Sequence, residues 1–121
     1  NNCYFVWTNY DNNFGGSCGL IVFKAKSSSD KGVVVTKSNM SSSYSLSSDL
    51  YIYLPAAGRY GNTEGTFTEN NIKGSYWTSD IRNSSAKNQS SAFTITNSSA
   101  TNNYVDRCQG LTLRAVYTPA N

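Results

Sequence analysis

Cys3-Tyr4-Phe5-Val6-Trp7-Thr8, then the polar cluster Asn9-Tyr10-Asp11-Asn12-Asn13-Phe14-Gly15-Gly16, then Gly19-Leu20-Ile21-Val22-Phe23-Lys24: this stretch decides the fold class. Both apolar runs are rich in aromatic and β-branched side chains, which pack well on a pleated surface. Between them stand Asn, Asp and Gly, which turn a chain through side-chain-to-backbone hydrogen bonds and tolerance of positive φ. Two such runs around a turn cluster predict a β-hairpin at the head of the chain.

The rest of the chain repeats that alternation of short apolar runs and polar punctuation. Ser27 to Asp30 break the second run, and Gly32-Val33-Val34-Val35-Thr36-Lys37 predicts a third strand. Ser38 to Asp49 is dense in Ser, which disfavours helix, and predicts an exposed loop. Leu50-Tyr51-Ile52-Tyr53-Leu54 predicts a buried strand, stopped by Pro55 entering a turn. Beyond a glycine-punctuated region, strands are expected at Tyr76–Ser79, Ala92–Thr96 and Asn103–Asp106. The strongest candidate is Leu111–Tyr117, where apolar residues alternate with Thr112 and Arg114. Gly58 is a turn former with a positive φ expected. There is no amphipathic helical pattern and no internal repeat. The expectation is one domain over residues 1–121, mainly β and loop-rich, with little or no helix.

Composition supports that class and removes several functions. Ser, Thr and Asn fill 45 of 121 positions, and only 14% of residues are charged. That is well below the ~25% usual for globular proteins, while 13% aromatic content argues against disorder. The net charge of +3 is scattered, with no basic run, so no nucleic-acid partner is expected. No apolar stretch approaches ~20 residues, so no membrane insertion is expected. The chain starts at Asn1-Asn2-Cys3 without Met, which predicts a fragment or processed product.

Three cysteines, Cys3, Cys18 and Cys108, leave an odd thiol. Cys3 and Cys18 flank the hairpin and are expected to form a disulfide; a Cys18–Cys108 pair and three buried thiols are the alternatives. Zero His removes the commonest general base and the familiar triads. No nucleophile elbow, phosphate loop or zinc spacing occurs, and no cofactor is expected. Seven carboxylates remain, so a two-carboxylate hydrolase drawing on Glu64, Glu69, Asp80 and Asp106 stays a minor possibility. Glu64, Glu69, Asn70 and Asn71 could offer oxygens to calcium, though no spacing enforces it. The sequons at Asn39, Asn83, Asn88 and Asn97 matter only in a glycosylating host.

Three ordered blocks carry a resemblance: Tyr51-Ile52-Tyr53-Leu54-Pro55-Ala56-Ala57-Gly58-Arg59-Tyr60, then Gly74-Ser75-Tyr76-Trp77-Thr78-Ser79, then Arg107-Cys108-Gln109-Gly110-Leu111-Thr112-Leu113-Arg114-Ala115-Val116. Together they resemble the Fibrobacter succinogenes major paralogous domain, which recurs in surface and pilus-tip-like proteins of gut bacteria. The resemblance covers a little over half the chain, from about 50 to 117. It implies a C-type-lectin-like fold, α+β by family, related to the variable proteins of diversity-generating retroelements. It also implies an extracellular or bacterial cell-surface location, in the C-terminal part of a larger protein. The Glu-Pro-Asn, Gln-Pro-Asp and Trp-Asn-Asp motifs of calcium-dependent sugar-binding lectins are missing, since Ala56 follows Pro55 and Thr78 follows Trp77. Calcium-dependent sugar capture is therefore not implied.

Within that frame Trp77 is expected as a core anchor in preference to a sugar platform, and Arg114 faces solvent or pairs with a carboxylate such as Asp106. Asp80 to Arg107 mixes Asn, Ser, Tyr, Asp and Arg in loops, a paratope-like composition. The candidate contact residues are Tyr60, Asp80, Arg82, Asn83, Asn102, Asn103, Tyr104, Asp106 and Arg107. The expected function is a non-enzymatic ligand-binding or adhesive module, its partner a protein or glycan on another cell or surface. A structural capping or spacer module without a ligand is the alternative.

Overall fold

The computed structural model describes residues 2–61, 66–79 and 88–114. The expected hairpin is there and longer than its apolar runs: β1 (Cys3–Asp11) pairs antiparallel with β2 (Ser17–Lys24), from Cys3↔Lys24 to Thr8↔Gly19. The register then slips before Asp11↔Ser17, which marks a bulge at Asn9-Tyr10. One 3-10 turn, Asn12–Phe14, closes the tip; the Asp11 carboxylate accepts from the Asn13 amide at 3.0 Å, and Gly15 and Gly16 take positive φ. Two strands flank the hairpin. β3 (Val34–Thr36) runs parallel to β1, and β4 (Tyr51–Pro55) runs antiparallel to β2, giving the order β3-β1-β2-β4.

The two central strands are covered on both faces, which is why their sequences run continuously apolar instead of alternating. Phe5, Trp7, Cys18 and Leu20 face the second sheet and bury against Leu54, Ala56, Tyr76 and Ile95. Tyr4, Val6, Ile21 and Phe23 face the other way and bury beneath Tyr44. Each large apolar side chain so buried contributes roughly 1.5–3 kcal/mol.

The second sheet holds β5 (Ala57–Tyr60), β6 (Phe67–Asn70), β7 (Gly74–Trp77), β8 (Gln89–Ile95) and β9 (Ala100–Asp106), in the order β6-β5-β7-β8-β9. Only β5 and β7 are parallel neighbours, paired at Gly58↔Gly74. Past that point they diverge, and the segment at Gly110–Thr112 fills the gap. Gly110 exchanges backbone bonds with Tyr60, and Thr112 bonds Ser75 and Trp77. Only single-turn 3-10 helices occur among the described residues, so the fold is mainly β and loop-rich as expected.

Several local expectations are corrected. Pro55 does not enter a turn: it ends β4, and after Ala56 the extended chain continues as β5, crossing from one sheet to the other. The Leu50–Leu54 run is an edge strand, with Leu54 buried and Leu50, Tyr51 and Ile52 exposed. The Ser38–Asp49 loop buries Tyr44, stacked on Tyr4 with ring centroids 4.3 Å apart. In place of a strand over Leu111–Tyr117, the described part shows isolated bridges at Gly110 and Thr112, and Leu113 is 77% exposed; residues 115–117 lie outside the described residues. Arg114 is exposed, one of the two placements expected of it, and donates to the Tyr53 carbonyl at 3.2 Å without meeting Asp106.

The Cys3–Cys18 disulfide is also overturned. Cys3 stands opposite Lys24, six residues along β2 from Cys18, a separation of about 20 Å at strand spacing. A disulfide needs its Cα atoms within about 7 Å. The buried Cys18 sulfur instead accepts from the Tyr10 backbone amide at 3.4 Å.

Candidate functional site

Strand direction decides which residues meet. β5 and β7 end, β6 and β8 begin, and β9 ends at the same edge of the second sheet. Tyr60, Phe67, Trp77, Ser90, Asp106 and Arg107 therefore gather there. Gly61 and Thr66, which flank 62–65, and Ser79 and Asn88, which flank 80–87, leave the sheet at this end too.

The backbone at this end is tied down, so its side chains are presented from a rigid base. The Arg107 amide donates to the Asn88 carbonyl at 2.8 Å, and its Nε donates to the Gln89 carbonyl at 3.2 Å. The Asp106 carboxylate accepts from Gln89 Nε2 at 3.2 Å and Asn88 Nδ2 at 3.3 Å. Arg59 donates to the Gln109 side chain at 2.5 Å, holding the 107–110 turn against β5. Arg59 also faces Glu69 at 2.9 Å, a contact held by charge, because the two atoms are not aligned as a hydrogen bond. A cleft of about 440 Å³ opens here, lined among the described residues by Trp77, Thr78, Ser90 and Arg107. At the same end of the sheet Tyr60 is 54% exposed and packs on the exposed ring of Phe67, centroids 5.3 Å apart.

Of the residues singled out in the sequence, the fold brings together Tyr60, Asp106 and Arg107. Asn102, Asn103 and Tyr104 are exposed on β9, the edge strand of that sheet, and run away from this end. Asn102 lies four residues, about 13 Å, from Asp106. Asp80, Arg82 and Asn83 lie outside the described residues. Sequence reasoning assigned Trp77 to the core, but its neighbour Tyr76 takes that place, while Trp77 is half-buried and lines the cleft. Adjacent strand residues point to opposite faces, so one of the pair had to turn outward. Phe67 and Ser90 were missed altogether.

Glu69 is taken up by Arg59 and Lys73, and Asp106 accepts from Gln89 and Asn88. Glu64 and Asp80 lie outside the described residues. No group of three or more potential metal ligands occurs among the described residues. Of the oxygens considered for calcium, Glu69 is held by Arg59 and Lys73, and Asn71 accepts from the Cys18 amide at 3.3 Å. No helix among the described residues is long and apolar enough to cross a membrane. Comparison with protein-family models, with curated proteins and with solved structures finds no match to this chain.

Proposed function

We propose that this chain is a non-enzymatic, C-type-lectin-like binding module of a bacterial surface protein, engaging a protein ligand through the β5–β7–β9 end of the second sheet. The observation that carries the reading is that Trp77 and Arg107 line one cleft, with Tyr60 and Phe67 exposed at the same end of the sheet. Trp, Tyr and Arg dominate the energetics of protein interfaces, because they offer large contact area and donors at modest entropic cost. The described carboxylates support the non-enzymatic part: Asp11, Asp49 and Glu69 are paired with lysine or arginine, and Asp30 and Asp106 accept hydrogen bonds. A surface location rests on the three sequence blocks.

An array of host and bacterial surface proteins, printed beside glycans, tests the reading. We expect a protein to bind, and Tyr60→Ala and Arg107→Ala each to weaken it about tenfold or more, with the melting temperature unchanged. Both side chains are exposed, so neither change threatens the fold. Binding that ignores both substitutions would remove this surface from consideration, and a domain that binds nothing printed would favour the spacer.

A further inference from the structure

A second cleft, of about 520 Å³, lies at the tip of the β1–β2 hairpin, between Asn9–Asn13 and Thr36–Ser38. It lies away from the surface proposed above. Trp7 and Asn9 approach the β6–β7 and β8–β9 turns, at the opposite end of the second sheet. Its volume falls within the range of small-molecule sites.

The backbone at this tip is strained around one side chain. Tyr10 has φ +45, a region costly for any residue with a Cβ. Gly15 and Gly16 occupy the neighbouring positive-φ positions, yet at Tyr10 the chain holds a large ring. Two other non-glycine residues share such a φ, and both use their side chains structurally: Glu69 pairs with Arg59, and Asn71 accepts from the Cys18 amide. Tyr10 is 68% exposed, and its ring has no hydrogen-bond or stacking partner among the described residues. Strain retained at a bulge, around an unemployed exposed ring, points to a ligand.

The groups around the ring are fixed in complementary roles. The Trp7 indole donates to Asn9 Oδ1 at 2.8 Å, leaving the Asn9 amide nitrogen as a donor. Asn13 Nδ2 donates to Asp11 Oδ1 at 3.0 Å, leaving the Asn13 oxygen as an acceptor. Asp11 accepts from Thr8 Oγ1, from Asn13 and from Lys37, so its carboxylate is spent within the protein. Lys37 and Asp11 are the only charged residues lining the cleft among the described residues, and they neutralise each other. Paired amide donor and acceptor suit hydroxyl groups, an aromatic face suits the apolar side of a sugar ring, and the balanced charge suits an uncharged ligand.

We propose that the hairpin-tip cleft binds an uncharged saccharide, with Tyr10 as its stacking platform and Asn9, Asn13 and Lys37 as its hydrogen-bonding groups. The test is an amide NMR titration of the whole domain with neutral gluco-, manno-, galacto- and N-acetylglucosamine oligosaccharides and with sulfated counterparts. At least one neutral probe shifts the Tyr10, Asn12, Asn13 and Lys37 signals, and its sulfated form binds no tighter. Tyr10→Gly, which relieves the backbone strain, weakens binding about tenfold or more while the melting temperature holds or rises. Tyr10→Phe, which keeps the ring, retains binding. The proposal is overturned if no neutral probe moves those signals, or if Tyr10→Gly binds as well as the parent. It is equally overturned if Tyr10→Gly loses stability along with binding, which makes Tyr10 structural. If Arg107→Ala removes the same binding, the sugar belongs to the other end of the domain.

Discussion

The Tyr76 hydroxyl donates to the Pro55 carbonyl at 2.6 Å, joining the second sheet to the last residue of the first where the chain crosses between them. Pro55 ends an edge strand, so its carbonyl has no partner strand on that side, and the buried tyrosine satisfies it. Burial pushes the Tyr76 hydroxyl up to about 12, with Arg114 pulling the other way. The folded value lies above the ordinary 10.0, so this contribution to stability is intact below pH 10 and is lost as pH rises from 10 towards 12. Tyr76→Phe should cost about 1–2 kcal/mol at pH 7 by removing the bond, and should flatten the alkaline loss. Urea unfolding at pH 7, 10 and 11.5 reads both; an alkaline limb as steep as the parent's would assign it to other groups.

Gly58 cannot carry a side chain. Its φ is +70, and a Cβ would lie 2.3 Å from the Thr68 carbonyl oxygen and 2.8 Å from the Asn70 nitrogen. Those are backbone atoms of the paired strand β6, which cannot swing aside. Gly58→Ala should cost about 2–4 kcal/mol, the left-handed conformation and the overlap both contributing. Gly15→Ala isolates the first contribution, since Gly15 has φ +69 and nothing within 4 Å, and should cost about 1 kcal/mol. Equal urea midpoints for the two variants would remove the steric argument.

These positions show what the sequence could reveal. The hairpin was legible because β1 and β2 are buried on both faces and so read as unbroken apolar runs; the positive φ of Gly58 was legible too, but it serves the close approach of β6 and not a turn after Pro55. Tyr44 was hidden, since one buried ring in a serine-rich segment leaves no periodicity. Leu50–Leu54 misled for the opposite reason: apolar composition does not reveal that a strand sits at an edge. In the candidate site Tyr60, Asp106 and Arg107 were found as polar or aromatic residues beside loops, but their meeting depends on strand order, which spacing alone does not encode. Tyr10 was read as part of a turn. Its isolation as the one aromatic among Asn and Asp at positions 9–13 was the available signal.

Tyr44 converts the 37–50 segment into a cover for the first sheet. Its ring stacks on Tyr4, packs on Phe23 at 5.3 Å and lies 5.1 Å from the Lys26 ammonium. Its hydroxyl donates to Asp30 at 2.7 Å and accepts from the Lys26 amide at 2.8 Å, and burial pushes its pKa up. Tyr44→Ala should cost about 3–5 kcal/mol, as for other large buried rings, and Tyr44→Phe about 1–2 kcal/mol. Guanidinium unfolding separates them. A Tyr44→Ala cost below about 1 kcal/mol would mean that the segment is a bystander.

Asp11 governs the acid limit of the hairpin tip. Its carboxylate is held at about 2, below the ordinary 3.8, first by the bond from Lys37 and then by those from Thr8 and Asn13, against an opposing effect of burial. A depressed folded value means that the contribution is present above the unfolded value and is lost as pH falls from about 4 towards 2. Asp11→Asn keeps the shape but loses the charge and sets an amide N–H against Lys37 or Thr8. It should lower stability by about 1–3 kcal/mol at pH 7. The two stability curves should then draw together between pH 4 and 2, because the parent loses there what the variant never had. Parallel curves through that window would move the acid limit to another carboxylate. Asp49 is the next candidate, since the Lys26 ammonium lowers its pKa in the same direction.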